Sequence, residues 1–187
     1  MPVKVSEYIA QRLADHRVKH IFAISGAGNS HLLDSFAYHP DLKYICPHHE
    51  QAAVMAAIAY SRLSGRLGVA LTTAGPGAAN AITGVLNAWA DSIPVLVIAG
   101  QEKAVHVAAS NPLRMYGVQG FNFARTVEGM TKYAAVVDDP SMARYHLEKA
   151  LLMATAGRPG PVWLDIPVDV QGALIEPEQL QTWCSRK

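Results

Sequence analysis

Cysteine is nearly missing from this sequence: Cys46 and Cys184 are the only two in 187 residues. That excludes a disulfide framework or a cysteine-built zinc site, and it suits a reducing, cytoplasmic setting. Charge of one sign is missing too, because 16 Lys and Arg stand against 15 Asp and Glu for a net charge of +1. No basic footprint exists to favour nucleic acid or an anionic membrane as a partner. Nothing reaches the roughly 18 uninterrupted apolar residues that a membrane span requires. The opening residues 1–7 hold no apolar stretch of the secretory type. Internal repeats and low-complexity tracts are absent as well.

What is present is a folding composition. Half the residues are hydrophobic and 17% are charged, which suffices for one domain with a real core. Apolar residues at Val5, Tyr8, Ile9 and Leu13 follow helical spacing and predict an opening helix. Short apolar runs then alternate with helical stretches. Strands are predicted at 21–24, 43–46, 67–72, 94–100, 133–137 and 161–165, and helices at 30–38, 49–64, 78–90 and 141–155. The run from Pro94 to Gly100 is almost wholly aliphatic, as expected for a central parallel strand covered on both faces. This alternation predicts an α/β fold: an open, mostly parallel, doubly wound sheet with helices on both faces. One domain over 1–170 is expected, and 171–187 loses the pattern and reads as a C-terminal tail or linker.

Ligands on such sheets bind beyond the carboxyl ends of the strands, which directs attention to 25–29, 47–50, 73–77 and 100–123. Residues 101–122 form the one long stretch of weak periodicity, and loops of that length are usually functional. The turn Thr72-Thr-Ala-Gly-Pro-Gly-Ala-Ala-Asn80 lies between a strand and a helix. It is a poor dinucleotide fingerprint, since Asn80 occupies the third glycine position, and it lacks the lysine of a P-loop. A tight structural turn and a turn that admits a ligand both remain open. At Pro47-His-His-Glu50 the position of a second zinc ligand holds Ala53, so a metalloprotease helix is excluded. Glu50 opens a helix whose next turns are apolar, a pattern that predicts burial all round. It is either a cap favoured by the helix dipole or a carboxylate aimed into a cleft. His16, His20, His31, His39, His106 and His146 are scattered without metal-ligand spacing, and no metal site is assigned. Asp91 and Asp165 read as structural, satisfying backbone donors at turns.

Taken in order, residues 49–53, 65–80, 91–101 and 157–171 resemble the pyrimidine-binding (PYR) domain of thiamine diphosphate enzymes, nearest the acetolactate synthase group. The likeness runs over about residues 4 to 171 and implies the thiamine diphosphate-binding fold. It implies that Glu50 holds N1′ of the cofactor's aminopyrimidine, so that the 4′-nitrogen can remove the thiazolium C2 proton, in a 2-oxo acid decarboxylase or carboligase. By the same resemblance Thr73, Gly75, Pro76, Asn80 and Gly26 would bind the cofactor, while Ala27 and Gln119 would face the substrate. The chain departs from the family at Val118-Gln119-Gly120, where Phe-Gln-Glu is usual, and at Ser25, where proline is usual. Substrate identity does not transfer across those changes.

Family members hold magnesium and diphosphate through a second (PP) domain marked by Gly-Asp-Gly and later Asn-Asn, and neither string occurs here. The resemblance therefore implies half a site, completed by a PP domain on a separate chain that brings the Mg²⁺, in a homo- or hetero-oligomer. The chain is expected to be a PYR subunit or a fragment of a longer synthase. A non-catalytic binding or regulatory relative is the alternative. The alanine-rich helix at 50–59 is a candidate docking face for the partner, with packing inside its own domain as the other option.

Overall fold

The computed structural model describes residues 1–107, 112–115 and 117–183. Cys184 and part of the 101–122 stretch lie outside these residues. The chain begins with β1 (Val3–Lys4), α1 (Val5–Asp15), β2 (His20–Ala23), α2 (Ser30–Tyr38), β3 (Lys43–Ile45) and α3 (Glu50–Ser64). It continues through β4 (Gly68–Thr72), α4 (Pro76–Asp91), β5 (Val95–Gln101) and the short α5 (Ala104–Val107) and α6 (Phe123–Thr126). Then come β6 (Tyr133–Val136), α7 (Ala143–Thr155), β7 (Val162–Pro167), α8 (Val168–Gly172) and β8 (Leu174–Ile175). Six strands form one sheet in the order β3-β2-β4-β5-β7-β6, every neighbouring pair parallel.

Period-two alternation along the strands builds two cores. On β5, Leu96 and Ile98 join Ile9, Leu13, Phe36 and Leu147 under α1, α2 and α7. Val95, Val97 and Ala99 point the other way, to Ala53, Val54, Ala81, Val85 and Phe123 under α3, α4 and α6. Because every residue of β5 is buried, an aliphatic run is what that position demands, and only the buried Gln101 at its carboxyl end departs from it. Each such side chain removed from water is worth about 1.5–3 kcal/mol, so the central strands carry much of the fold's stability.

Four sequence expectations need adjustment. Helix α4 begins at Pro76, two residues before the predicted start, since proline's fixed φ suits a first helical position and its missing N–H is not needed there. Helix α7 begins at Ala143 after a 3-10 turn at Pro140–Met142, again shaped by proline. Helix α3 is not buried all round: Ala53, Val54, Ala57 and Ile58 pack inside the domain, while Ala52, Ala59 and Leu63 are exposed. Among the described residues, one side of α3 meets the sheet and α4 and the other is uncovered. Lastly, the pattern loss after Val170 does not mark an immediate exit. Gln171 is fully buried in α8, and β8 pairs antiparallel with β1, Val3 opposite Ile175. A two-residue strand is too short to display alternation.

The chain runs from β2 outward to β3, then returns to place β4 on the opposite side of β2. The strand order thus reverses between β2 and β4. A crevice opens at the carboxyl ends of strands where order reverses, and it is there that such sheets take ligands.

Candidate functional site

The loops that leave β2 and β4 meet at this reversal. Asn29, fully buried, ties them: its Nδ2 donates to Ile24 O at 2.8 Å and to Thr72 O at 2.9 Å, and its Oδ1 accepts from Gly26 N at 3.0 Å. The Thr73 hydroxyl accepts from Gly28 N at 3.2 Å. Gly26 lies so close to Thr73 that a Cβ there would overlap the threonine side chain. Gln171 braces the same turn from α8, its Nε2 donating to Gly28 O and to Ile166 O, each at 2.7 Å. Ala27 opens the 3-10 turn over 27–29 and is exposed.

Glu50 is the first residue of α3 and is 8% exposed. His49 caps the helix instead, its Nδ1 accepting from Gln51 N at 3.2 Å. That leaves the Glu50 carboxylate for other work. Asn80, one turn into α4, donates from Nδ2 to Glu50 Oε2 at 3.0 Å. The two helices come close enough for this because Gly84 faces Val54, where a Cβ would stand 2.6 Å from the valine Cβ. The second carboxylate oxygen, Oε1, accepts no hydrogen bond among the described residues. It lies 3.1 Å from where a side chain on Gly77 would begin.

The turn between β4 and α4 completes the wall. Gly75 has φ +59° and ψ −128°, a conformation that glycine alone adopts readily. A Cβ there would stand 2.6 Å from Gln119 O and 2.7 Å from Gln119 Cβ. Beside it a hollow of about 360 Å³ is lined by Gly75, Pro76, Ala79, Met115, Phe121 and Phe123. A larger groove of about 580 Å³, near Tyr8, Arg12 and Tyr38, contains none of the motif residues. The structure thus brings Glu50 to Asn80 and Gly77, Thr73 to Gly26, and Gly75 to Gln119. Ala27 and Pro76 stand at the exposed rim. Among the described residues no three His, Cys, Asp or Glu gather as a metal ion would need.

The thiamine pyrophosphate enzyme profile, described as the N-terminal TPP binding domain, matches residues 3–126. The chain belongs to this family. It is 34% identical to the chloroplastic acetolactate synthase of Arabidopsis thaliana over 94% of its own length and 25% of that protein's. It is 35% identical to the mitochondrial acetolactate synthase of Schizosaccharomyces pombe, covering 91% of this chain and 24% of that one. The acetolactate synthase large subunit of Haemophilus influenzae is 35% identical, over 88% and 28%. The chain spans about a quarter of the length of the curated relatives it matches. No helix is long and apolar enough to cross a membrane among the described residues.

Within this PYR domain, Asn29, Gln101 and Gln171 also serve the site, and none of them is a candidate from sequence. Single polar residues carry no local signal when their partners are distant in sequence. Asp165, expected to satisfy donors at a turn, does more. Fully buried on β7, it accepts from Trp163 Nε1 at 2.7 Å and from Ala124 N at 3.0 Å. Burial pushes its carboxyl up from 3.8 to about 7, the hydrogen bonds pulling the other way. Asp91 meets the Arg62 guanidinium in an exposed ion pair instead of a turn.

The raised Asp165 value has a consequence for stability. Between pH 4 and pH 7 the folded chain holds this proton while the unfolded chain has lost it, so stability falls as pH rises through that window and levels above it. The ceiling on this loss is about 4 kcal/mol. Urea unfolding across pH 4–8 is expected to show that decline, and the slope should be largely absent in Asp165→Asn.

Proposed function

We propose that this chain supplies the pyrimidine side of a thiamine diphosphate site in an acetolactate synthase-like enzyme that decarboxylates a 2-oxo acid or joins it to an acceptor. The observation that carries the reading is the state of Glu50. It is a buried carboxylate with one oxygen engaged by Asn80 and the other open toward Gly77, at the point where strand order reverses. An acid in that setting can hold a ring nitrogen and shift its proton equilibrium without touching substrate.

The residues fit the cofactor's aminopyrimidine. Gly75 and Gly77 let Gln119, Thr73 and Glu50 close on the turn where side chains would clash, and Oε1 of Glu50 is an acceptor left without a partner there among the described residues. Thiamine diphosphate, when bound, supplies a thiazolium that takes up the electrons released on decarboxylation. Glu50 would hold or move a proton at the pyrimidine N1′, and Asn80 would keep its carboxylate oriented. Thr73 and Gly26 would close the β2 side, while Ala27 and Gln119 would face the 2-oxo acid.

A PP domain on a separate chain would contribute Mg²⁺ and the diphosphate contacts. The uncovered Ala52, Ala59 and Leu63 of α3, with Leu86 of α4, support assembly into an oligomer through that side. The reading is tested by mixing the chain with a PP-domain chain of this group, thiamine diphosphate, Mg²⁺ and pyruvate. Carbon dioxide release that requires both chains is expected. Absence of both turnover and calorimetric cofactor binding would overturn the reading.

A further inference from the structure

Residues 117–124 lie along the carboxyl edge of the sheet, and three side chains, two in the sheet and one just beyond it, grip their backbone in succession. Glu102, just beyond β5, accepts from Val118 N at 3.3 Å and Gln119 N at 3.4 Å through Oε1. Gln101, the last residue of β5 and 1% exposed, donates from Nε2 to Phe121 O at 2.7 Å, while its Oε1 accepts from Glu102 N at 3.0 Å. Asp165, on the neighbouring strand β7 and paired with Ala99, takes Ala124 N. Phe121 and Phe123 continue the attachment as rings, 5.1 Å apart, with Phe123 6.4 Å from Trp163. Toward the far end of this segment Gln119 is seated on Gly75.

We propose that Asp165 and Gln101 are positioning residues that lash residues 117–124 to the sheet and so hold Gln119 against the Gly75 turn. Loops usually satisfy their backbone with water or local turns, and buried polar side chains dedicated to a loop need a compensating use. Here both are deep, and each makes one hydrogen bond to this segment beside a second that fixes its own side chain, Asp165 to the Trp163 indole and Gln101 to Glu102 N. The carboxylate suits its place on Asp165 because two donors, the Trp163 indole and the Ala124 amide, converge on it. An amide there has only one acceptor oxygen and leaves one donor unserved. The consequence for substrate rests on the reading of Gln119 given above; the lashing itself does not.

Hydrogen exchange on the full chain at pH 8 tests it. In Asp165→Asn and in Gln101→Leu, amides of 117–124 among the described residues should exchange about tenfold faster or more, while those of α3 and β4 keep their rates. Adding Trp163→Phe to Asp165→Asn should restore protection at Ala124, since the amide oxygen then has a single donor to serve. In the assembled enzyme either single variant should raise KM for pyruvate about threefold or more with little change in kcat. Unchanged exchange over 117–124 in both single variants, or equal acceleration throughout the fold, would overturn the proposal. Because exchange is read on the chain alone, failure of turnover would count against the cofactor reading and leave this result standing.

Discussion

Exchanging Glu50 for glutamine is expected to lower pyruvate turnover by the assembled enzyme about 10²–10⁴-fold, the range that positioned acid–base groups contribute. The change is nearly isosteric, and its amide oxygen can still accept from Asn80 Nδ2, so the contact between α3 and α4 survives. What is lost is the acid–base group itself, since an amide does not exchange a proton with a ring nitrogen at neutral pH. His49 provides the helix cap, so no cap is removed. Thermal unfolding of the variant should therefore match the parent within about 0.5 kcal/mol. A large loss of turnover with unchanged stability separates a catalytic carboxylate from a structural one. A variant that keeps full turnover would sink the assignment of Glu50.

Replacing Gly75 by alanine is expected to damage fold and site together. Its backbone conformation costs a non-glycine residue about 1–3 kcal/mol. The added Cβ would also press on backbone, 2.6 Å from the carbonyl oxygen of Gln119, which cannot rotate away as a flexible side-chain tip would. Either α4 shifts, moving Asn80 from Glu50, or residues 117–124 move outward. Urea unfolding should show the destabilisation, and thiamine diphosphate affinity in the assembled enzyme should fall more than about tenfold. Wild-type stability with wild-type affinity would show that the turn tolerates a side chain and is not the wall described.

Much of the framework was legible because its signals are local. The aliphatic run of β5 announces a strand buried on both faces, and the helical spacing from Val5 to Leu13 announces α1. The site was legible in part. Glu50 alone reads more readily as a cap than as a catalytic acid, and only the ordered motifs around it suggest more. Its neighbour Asn80 is 30 residues away, a distance that no periodicity spans. Gln171 was harder still, for it serves the Gly28 turn from 143 residues away and stands where the helix–strand pattern gives out. Polar residues that brace loops obey geometry set by the finished fold. Apolar residues obey periods written into the chain, and this difference explains which parts could be read in advance.

The pairing of β1 with β8 bears on mechanics. Val3 and Ile175 stand opposite one another in an antiparallel ladder, so the chain enters and leaves that ladder from the same side. A pull on the flanking segments would open two residue pairs one after the other, like a zip. Beyond the clasp the chain is held again, Pro177 O by Arg144 and Trp183 N by Glu148 of α7, so the C-terminal flank has a second attachment of its own. Both fastenings lie at the chain's two ends, on the α1 and α7 side of the sheet, whereas the crevice that holds Glu50 is bounded by α3 and α4.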